Sequence, residues 1–146
     1  MTVRVIVVGV EGSVGGLTAI SWTAQLAAPL GARVVAVHAF EPLSYVGKAK
    51  PPLDFVRLRA ECEAELTQRW CDPLATAGVA FETRMIDDQP VEALVTVAEE
   101  VDADLIVVAA RAQSALRGLL LGSTSLKLPH ETTRPVCIVH PERPSR

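Results

Sequence analysis

Five strand-like runs of six to eight residues recur along the chain, and stretches with helical spacing separate them. The runs are rich in valine, isoleucine and alanine, which is typical of parallel strands buried on both faces. They cover residues 3–10, 33–40, 79–86, 104–110 and 135–140. Alternation of strands with helices predicts right-handed βαβ crossovers. We therefore expect an α/β fold: a single doubly wound domain over residues 1–146, with a five-stranded parallel sheet and helices on both faces.

The intervening segments carry apolar residues at helical intervals. The predicted helices cover residues 17–30, 55–77, 91–101 and 123 onwards. Gly31 and Gly78 are suited to end the first two helices, because glycine readily adopts the left-handed conformation of a C-terminal cap. Pro129 predicts a break or kink in the last helix. The tail, residues 141–146, is expected to fray.

The first and fourth runs are the most apolar, so both are expected at the centre of the sheet. This placement favours the strand order 3-2-1-4-5 over the related order 2-1-3-4-5. In the favoured order the succession of strands reverses between strands 1 and 4. Ligands of doubly wound sheets bind at such a point, beyond the carboxyl ends of the strands. The loops that meet there are residues 11–16 and 111–117, so the sequence predicts a pocket between them.

Composition excludes several classes of protein. The net charge is −3 and no basic face is evident, which argues against nucleic acid as a partner. No apolar run approaches the roughly 18 residues of a membrane span, and no charged leader precedes the first strand, so we expect a cytoplasmic protein with no membrane partner. The 3 cysteines lack CxxC spacing, which argues against a disulfide framework or a metal site. Cys137, between two apolar residues, is expected to be an inert packing residue.

The glycine-rich loop after the first strand, Glu11-Gly12-Ser13-Val14-Gly15-Gly16, fits neither standard phosphate motif. A P-loop requires a lysine after its last glycine, and these glycines are out of register for GxGxxG. From the residues alone, a tight turn and a binding loop are equally good interpretations. The segment Gly122-Ser123-Thr124-Ser125 offers hydroxyl groups that can cap a helix or bind an anion beside free amides, and capping is favoured when the segment is taken alone.

Four short segments are the most distinctive of the chain. They read VVGVEGS at 7–13, DLIVV at 104–108, RGLLLGS at 117–123 and PVCIV at 135–139. In this order and spacing they resemble the universal stress protein family, whose opening is usually written V-G-x-D-G-S. The resemblance covers nearly the whole chain. It implies the 3-2-1-4-5 fold, a homodimer joined through the fifth strand from Val136 to Val139, and, in many members, ATP binding through the motif G-x2-G-x9-G-[ST].

The resemblance also implies a set of cofactor-binding residues. Carried onto this sequence, they are Val10, Glu11, Gly12, Ser13, Val37, Ala109, Arg111, Ala112, Gly122, Ser123 and Ser125. When the motif is counted back from Gly122, its two earlier glycines fall on Ala109 and Ala112. The opening aspartate is Glu11 here, and Asp88 stands where the loop before the third helix usually carries glycine.

The two alanines are expected to weaken the phosphate site. Glycine in a phosphate loop supplies positive φ and room for the backbone to approach oxygen. A left-handed alanine costs roughly 1–2 kcal/mol, and each lost charge-assisted contact costs roughly 1.5–3 kcal/mol. Two such losses correspond to ~100-fold weaker binding or more. Arg111, Gly122, Ser123 and Ser125 remain, so ATP or another adenine nucleotide stays the expected ligand, though none is required.

Two functions remain open. The first is a regulatory or sensing domain that binds an adenine nucleotide in a weakened site. The alternative is a dimeric interaction module of the same fold that binds no nucleotide. An ATP-hydrolysing enzyme is a third, disfavoured interpretation, because no nucleophile, base and orienting group can be assembled from spacing. The histidines, His38, His130 and His140, lie on three elements and are expected to be surface or strand-end residues rather than ligands.

Overall fold

The computed structural model describes residues 1–42, 52–110 and 123–140. Its sheet has five parallel strands in the order β3-β2-β1-β4-β5, which confirms the predicted topology. The strands are β1 Val5–Gly9, β2 Arg33–Ala39, β3 Phe81–Ile86, β4 Leu105–Ala109 and β5 Val136–Val139. The two most apolar strands, β1 and β4, are paired at the centre, with Val7 opposite Ile106. The reversal of strand order therefore lies where it was predicted.

Helices cover both faces of the sheet. They are α1 Val14–Leu30, α2 Phe55–Glu65, α3 Asp72–Thr76, α4 Pro90–Glu100 and α5 Ser123–Glu131. A π-helical turn, Leu66–Trp70, joins α2 to α3. Among the residues that the structure describes, no helix is long and apolar enough to cross a membrane.

The core consists of two layers, one on each face of the sheet. Alternate side chains of β1 separate into them, because successive residues of a strand point to opposite faces. Ile6 and Val8 pack with α1, the π-helical turn and α3, while Val7 packs with α4 and α5. The core is aliphatic, because valine, leucine, isoleucine and alanine dominate both layers.

The predicted helix over residues 55–77 is wrong as a single element. The α-helical pattern ends at Glu65, continues as the π-helical turn and resumes as α3. Pro73 gives a physical reason, because it has no amide hydrogen to donate to the carbonyl four residues earlier. The interrupted geometry buries Leu66, Trp70 and Leu74 in the same layer of the core.

Two further boundaries differ from the prediction. Helix α1 begins at Val14, three residues early, because the side chain of Ser13 accepts a hydrogen bond from the Gly16 amide at 3.2 Å and caps the helix. Helix α5 does not end at Pro129 but continues to Glu131. The tail, 141–146, lies outside the described residues.

Candidate functional site

A cavity of about 460 Å³ opens beyond the carboxyl ends of β1, β2 and β4. Its size falls within the range of pockets that hold small molecules. The cavity extends from the end of β2 across the strand reversal to the start of α5. The side chains and backbone that line it are those of Gly9, Val10, Glu11, Val37, His38, Ala39, Glu41, Gln89, Pro90, Val91, Glu92, Leu94, Val108, Ala109, Ser123, Thr124, Ser125 and Lys127.

The floor of the cavity is apolar. It is formed by Val10, Val37, Val91, Leu94 and Val108. The amide of Val10 donates to the carbonyl of Val37 at 2.8 Å, which extends the pairing of β1 with β2 one residue beyond β1. The floor therefore belongs to the rigid sheet and to the first turns of α4.

One end of the cavity is the start of α5, where three hydroxyl residues are consecutive. Ser123, Thr124 and Ser125 all line the cavity, and Ser125 is buried. Amides at the start of a helix have no partner within the helix and attract anions. Lys127 lies in the next part of the helix and lines the same space. This end of the cavity can hold a negatively charged group.

Acidic side chains also line the cavity. Among the described lining residues, Glu11, Glu41 and Glu92 are acidic, and Lys127 is the basic one. The hydroxyl of Ser13 donates to Oε1 of Glu11 at 2.8 Å, which fixes the position of that carboxylate. Carboxylates accept hydrogen bonds from hydroxyl groups, so these residues suit the sugar of a nucleotide better than its phosphate.

The structure brings together six of the residues that the resemblance implied. Those that line the cavity are Val10, Glu11, Val37, Ala109, Ser123 and Ser125. Gly12 and Ser13 do not line it. Arg111, Ala112 and Gly122 lie outside the described residues.

Gly12 has a structural role. A Cβ atom at position 12 would lie 2.6 Å from Cζ2 of Trp70, so a side chain would displace the indole. Ser13 caps α1, as described above. For these two residues, therefore, the tight-turn interpretation explains the sequence without a ligand.

The expectation that alanine at position 109 is strained by a left-handed conformation is wrong. Ala109 is the last residue of β4, and among the described residues Asp102, with φ 51°, is the one non-glycine residue with positive φ. Alanine at position 109 therefore carries no left-handed strain. Its methyl group faces the start of α1, since a Cβ at Gly15 would lie 3.6 Å from it. Any effect of this alanine on a ligand must come from the space that the methyl fills.

Sequence reasoning missed the side of the cavity formed by β2 and α4. His38, Glu41, Gln89 and Glu92 line this side, and Lys127 of α5, also missed, lines the opposite end. The signal was present in the predicted strand order, because the end of β2 adjoins the end of β1. His38 is a strand-end residue, as expected, but it also lines the cavity. Asp87, which follows β3, is held by Arg59, whose Nε donates to it at 2.8 Å and lowers the pKa of its carboxyl.

The sequence is similar to known proteins along most of its length. The model of the universal stress protein family matches residues 2–140. A universal stress protein of Thermus aquaticus is 35% identical over 111 residues, which are 75% of this chain and 78% of the relative. One from Mycobacterium tuberculosis strain H37Rv is 30% identical over 141 residues, covering 94% and 96% of the two chains. Longer relatives also match: this chain spans 47% of a universal stress protein of Mycolicibacterium smegmatis.

Solved structures of universal stress proteins are also similar to this chain. A universal stress protein in complex with cAMP superposes with a TM-score of 0.75 at 31% identity and covers 96% of this chain and 98% of its own. A universal stress protein from Archaeoglobus fulgidus in complex with dAMP gives 0.69 at 22% identity, covering 94% and 98%, and at that identity shows the fold alone. The sheet order, the sequence match and these likenesses together show that the chain belongs to the universal stress protein family.

Proposed function

We propose that this protein binds an adenine nucleotide in the cavity and acts as a sensing or regulatory domain without turning the nucleotide over. The observation that carries the proposal is the division of one cavity into an apolar floor and an end rich in hydroxyl groups. A nucleotide has the same division, with a flat base at one end and an anion at the other. The cAMP complex of the similar protein at 31% identity supports the choice of adenine.

The geometry indicates one orientation. The base would lie on Val10 and Val37, at the ends of β1 and β2. The phosphate would lie at the start of α5, near Ser123 and Lys127. This arrangement crosses the reversal of strand order, where doubly wound sheets generally bind ligands.

We further propose that the site is weak for triphosphates. Three acidic residues line the cavity, and like charges disfavour a ligand with several phosphate charges. Alanine at positions 109 and 112 also stands where the family motif has glycine. AMP and cAMP should therefore bind more tightly than ATP.

Calorimetric titration with AMP, cAMP and ATP tests the proposal. The useful variant is Ser123→Asp, because a carboxylate at the start of α5 would repel the phosphate there. Ser123 is exposed, so the fold should tolerate the change. Leu126→Asp is the matched control, since Leu126 lies on the same helix, is 53% exposed and does not line the cavity.

We expect AMP to bind the natural protein and to bind the Ser123→Asp variant at least tenfold more weakly, corresponding to about 1.4 kcal/mol or more. Leu126→Asp should bind like the natural protein. Failure of all three nucleotides to bind would remove the proposal. If AMP binds Ser123→Asp as tightly as Leu126→Asp, the phosphate does not lie at the start of α5.

The second candidate is a dimeric interaction module, and the edge of the sheet favours it. Val136 and Ile138 are half-buried on β5, and among the described strands none lies on the outer side of β5. An apolar strand edge of this kind favours pairing across a two-fold axis. The two candidates are compatible, because the cavity and the outer edge of β5 are separate.

The cytoplasmic location stays a prediction.

A further inference from the structure

His38 is held in one orientation at the edge of the cavity. Its Nδ1 lies 2.7 Å from the carbonyl oxygen of Val10. A carbonyl oxygen can only accept a hydrogen bond, so Nδ1 must carry the proton that forms this bond. In the neutral imidazole, the other nitrogen, Nε2, is then an acceptor.

Trp70 fixes the plane of the same ring. The indole contacts the imidazole edge to face, with centroids 5.2 Å apart and an interplanar angle of 60°. Trp70 is itself buried, at 7% exposure, and closely approaches Gly12. The imidazole is therefore held by a hydrogen bond on one atom and by an aromatic contact on its face.

Nε2 remains available to a ligand. The imidazole is half-buried, and its bond to the Val10 carbonyl uses Nδ1, so that bond leaves Nε2 unused. The indole N–H of Trp70 does not bond to His38, since it has no hydrogen-bond partner in the part of the chain that the structure describes. His38 lines the cavity beside Val37, which is part of the apolar floor.

We propose that His38 recognises an exocyclic amino group of the ligand's base by accepting its N–H at Nε2. The inference rests on the proposed function, because it needs a base on the apolar floor, beside Val37. Adenine has such an amino group on carbon 6. The proposal makes His38 a residue that determines base specificity, and Trp70 a residue that positions it.

The proposal implies a dependence on pH with a definite sign. Neutral Nε2 accepts the amino N–H, whereas the imidazolium presents a second N–H and cannot accept it. Recognition of the amino group should thus be lost in acid, once the imidazole is protonated. The other charged groups that line the cavity are Glu11, Glu41, Glu92 and Lys127. Their titration affects any phosphorylated ligand, so a ratio of two ligands is required.

The test compares AMP with purine riboside 5′-monophosphate, which lacks the amino group and is otherwise the same. At pH 8 we expect AMP to bind about fivefold more tightly, as for one net hydrogen bond. In acid, where the imidazole is protonated, the ratio should fall to about 1. Because both ligands carry the same phosphate, its charge and that of the carboxylates cancel in the ratio.

His38→Asn keeps an N–H that can reach the Val10 carbonyl but has no atom equivalent to Nε2. It should bind both ligands equally at either pH. His130→Asn is the matched control, because His130 is exposed and does not line the cavity, and it should keep the ratio of the natural protein. Nitrogen NMR of the free natural protein should show the tautomer protonated at Nδ1, whatever the variants do.

Three results would overturn the inference. An AMP preference that is absent or independent of pH in the natural protein would show that His38 does not read the base, while nucleotide binding itself would stand. The Nε2-protonated tautomer would contradict the geometry. Failure of both nucleotides to bind would remove the proposed function and this inference with it.

Discussion

At the scale of single residues, two adjacent glycines at the start of α1 differ in the space that each leaves for a side chain. A Cβ at Gly16 would overlap the backbone carbonyl oxygen of Glu11, whereas a Cβ at Gly15 would meet Ala109 at an ordinary 3.6 Å. Gly16→Ala should therefore destabilise the protein by more than about 2 kcal/mol, since the backbone must move. Gly15→Ala should be neutral or stabilise by about 0.5–1 kcal/mol, as alanine favours a helix. Urea unfolding of both variants measures the difference, and equal stabilities would contradict the loop geometry.

The thiol of Cys71 gives a second prediction at this scale. Burial, with a smaller contribution from Asp72, raises its pKa from 9.0 to about 11. The thiolate that reacts with alkylating agents is therefore scarce at neutral pH. Cys71 should label far more slowly than half-buried Cys62 in the native protein, and all three cysteines should label rapidly in urea. Mass spectrometry of the alkylated peptides checks the order, and fast native labelling of Cys71 would contradict its burial.

At the scale of elements, Arg134 joins the end of α4 to the start of β5. Its guanidinium donates to Glu99 at 3.1 Å and to Asp102 at 3.0 Å, and its side chain is 18% exposed. Arg134→Ala should cost about 1–3 kcal/mol, the usual range for charged hydrogen bonds. Arg84→Ala, which removes a more exposed pair with Glu100, should cost less than about 1 kcal/mol.

The stabilisation that comes from the Arg134–Glu99 pair depends on pH. Arg134 lowers the pKa of Glu99, so the stabilisation is present above the ordinary glutamate pKa and is lost as pH falls through the lowered value. The difference in stability between the natural protein and Arg134→Ala should thus shrink in acid. Chemical unfolding at neutral and at acidic pH measures it, and a constant difference would exclude Arg134–Glu99 as its source.

Elements also show where sequence reasoning succeeded. Strand order followed from the apolar character of β1 and β4, because only central strands are buried on both faces. The interruption between α2 and α3 was missed although Pro73 signalled it. Of the predicted site residues, Glu11 after β1 and Ser123 and Ser125 of α5 line the cavity. The sequence assigned His38 no role in the cavity. The orientation of its imidazole depends on a contact with Trp70, which is 32 residues away along the chain.

At the scale of the whole molecule, the two sheet edges differ. The outer strand β3 carries the charged residues Glu82 and Arg84, which discourage edge pairing, whereas β5 has only Val, Cys and Ile. We predict a homodimer through β5, with twice the chain mass in light scattering at micromolar concentration. Ile138→Pro should give the monomer. The Pro135 and Val139 carbonyls bond to β4, so the backbone N–H of residue 138 points to the outer edge, where proline has none to donate. A natural protein that is monomeric would contradict the prediction.

The central claim is that the cavity holds an adenine nucleotide, and native mass spectrometry of the purified protein tests it most directly. The spectrum is recorded as purified and again with added AMP, for the natural protein and for Ser123→Asp. We predict a species heavier by one adenine nucleotide per chain in the natural protein, and its loss in Ser123→Asp. A spectrum of bare protein under both conditions would contradict the account, and the interaction module would then be the better description of this chain.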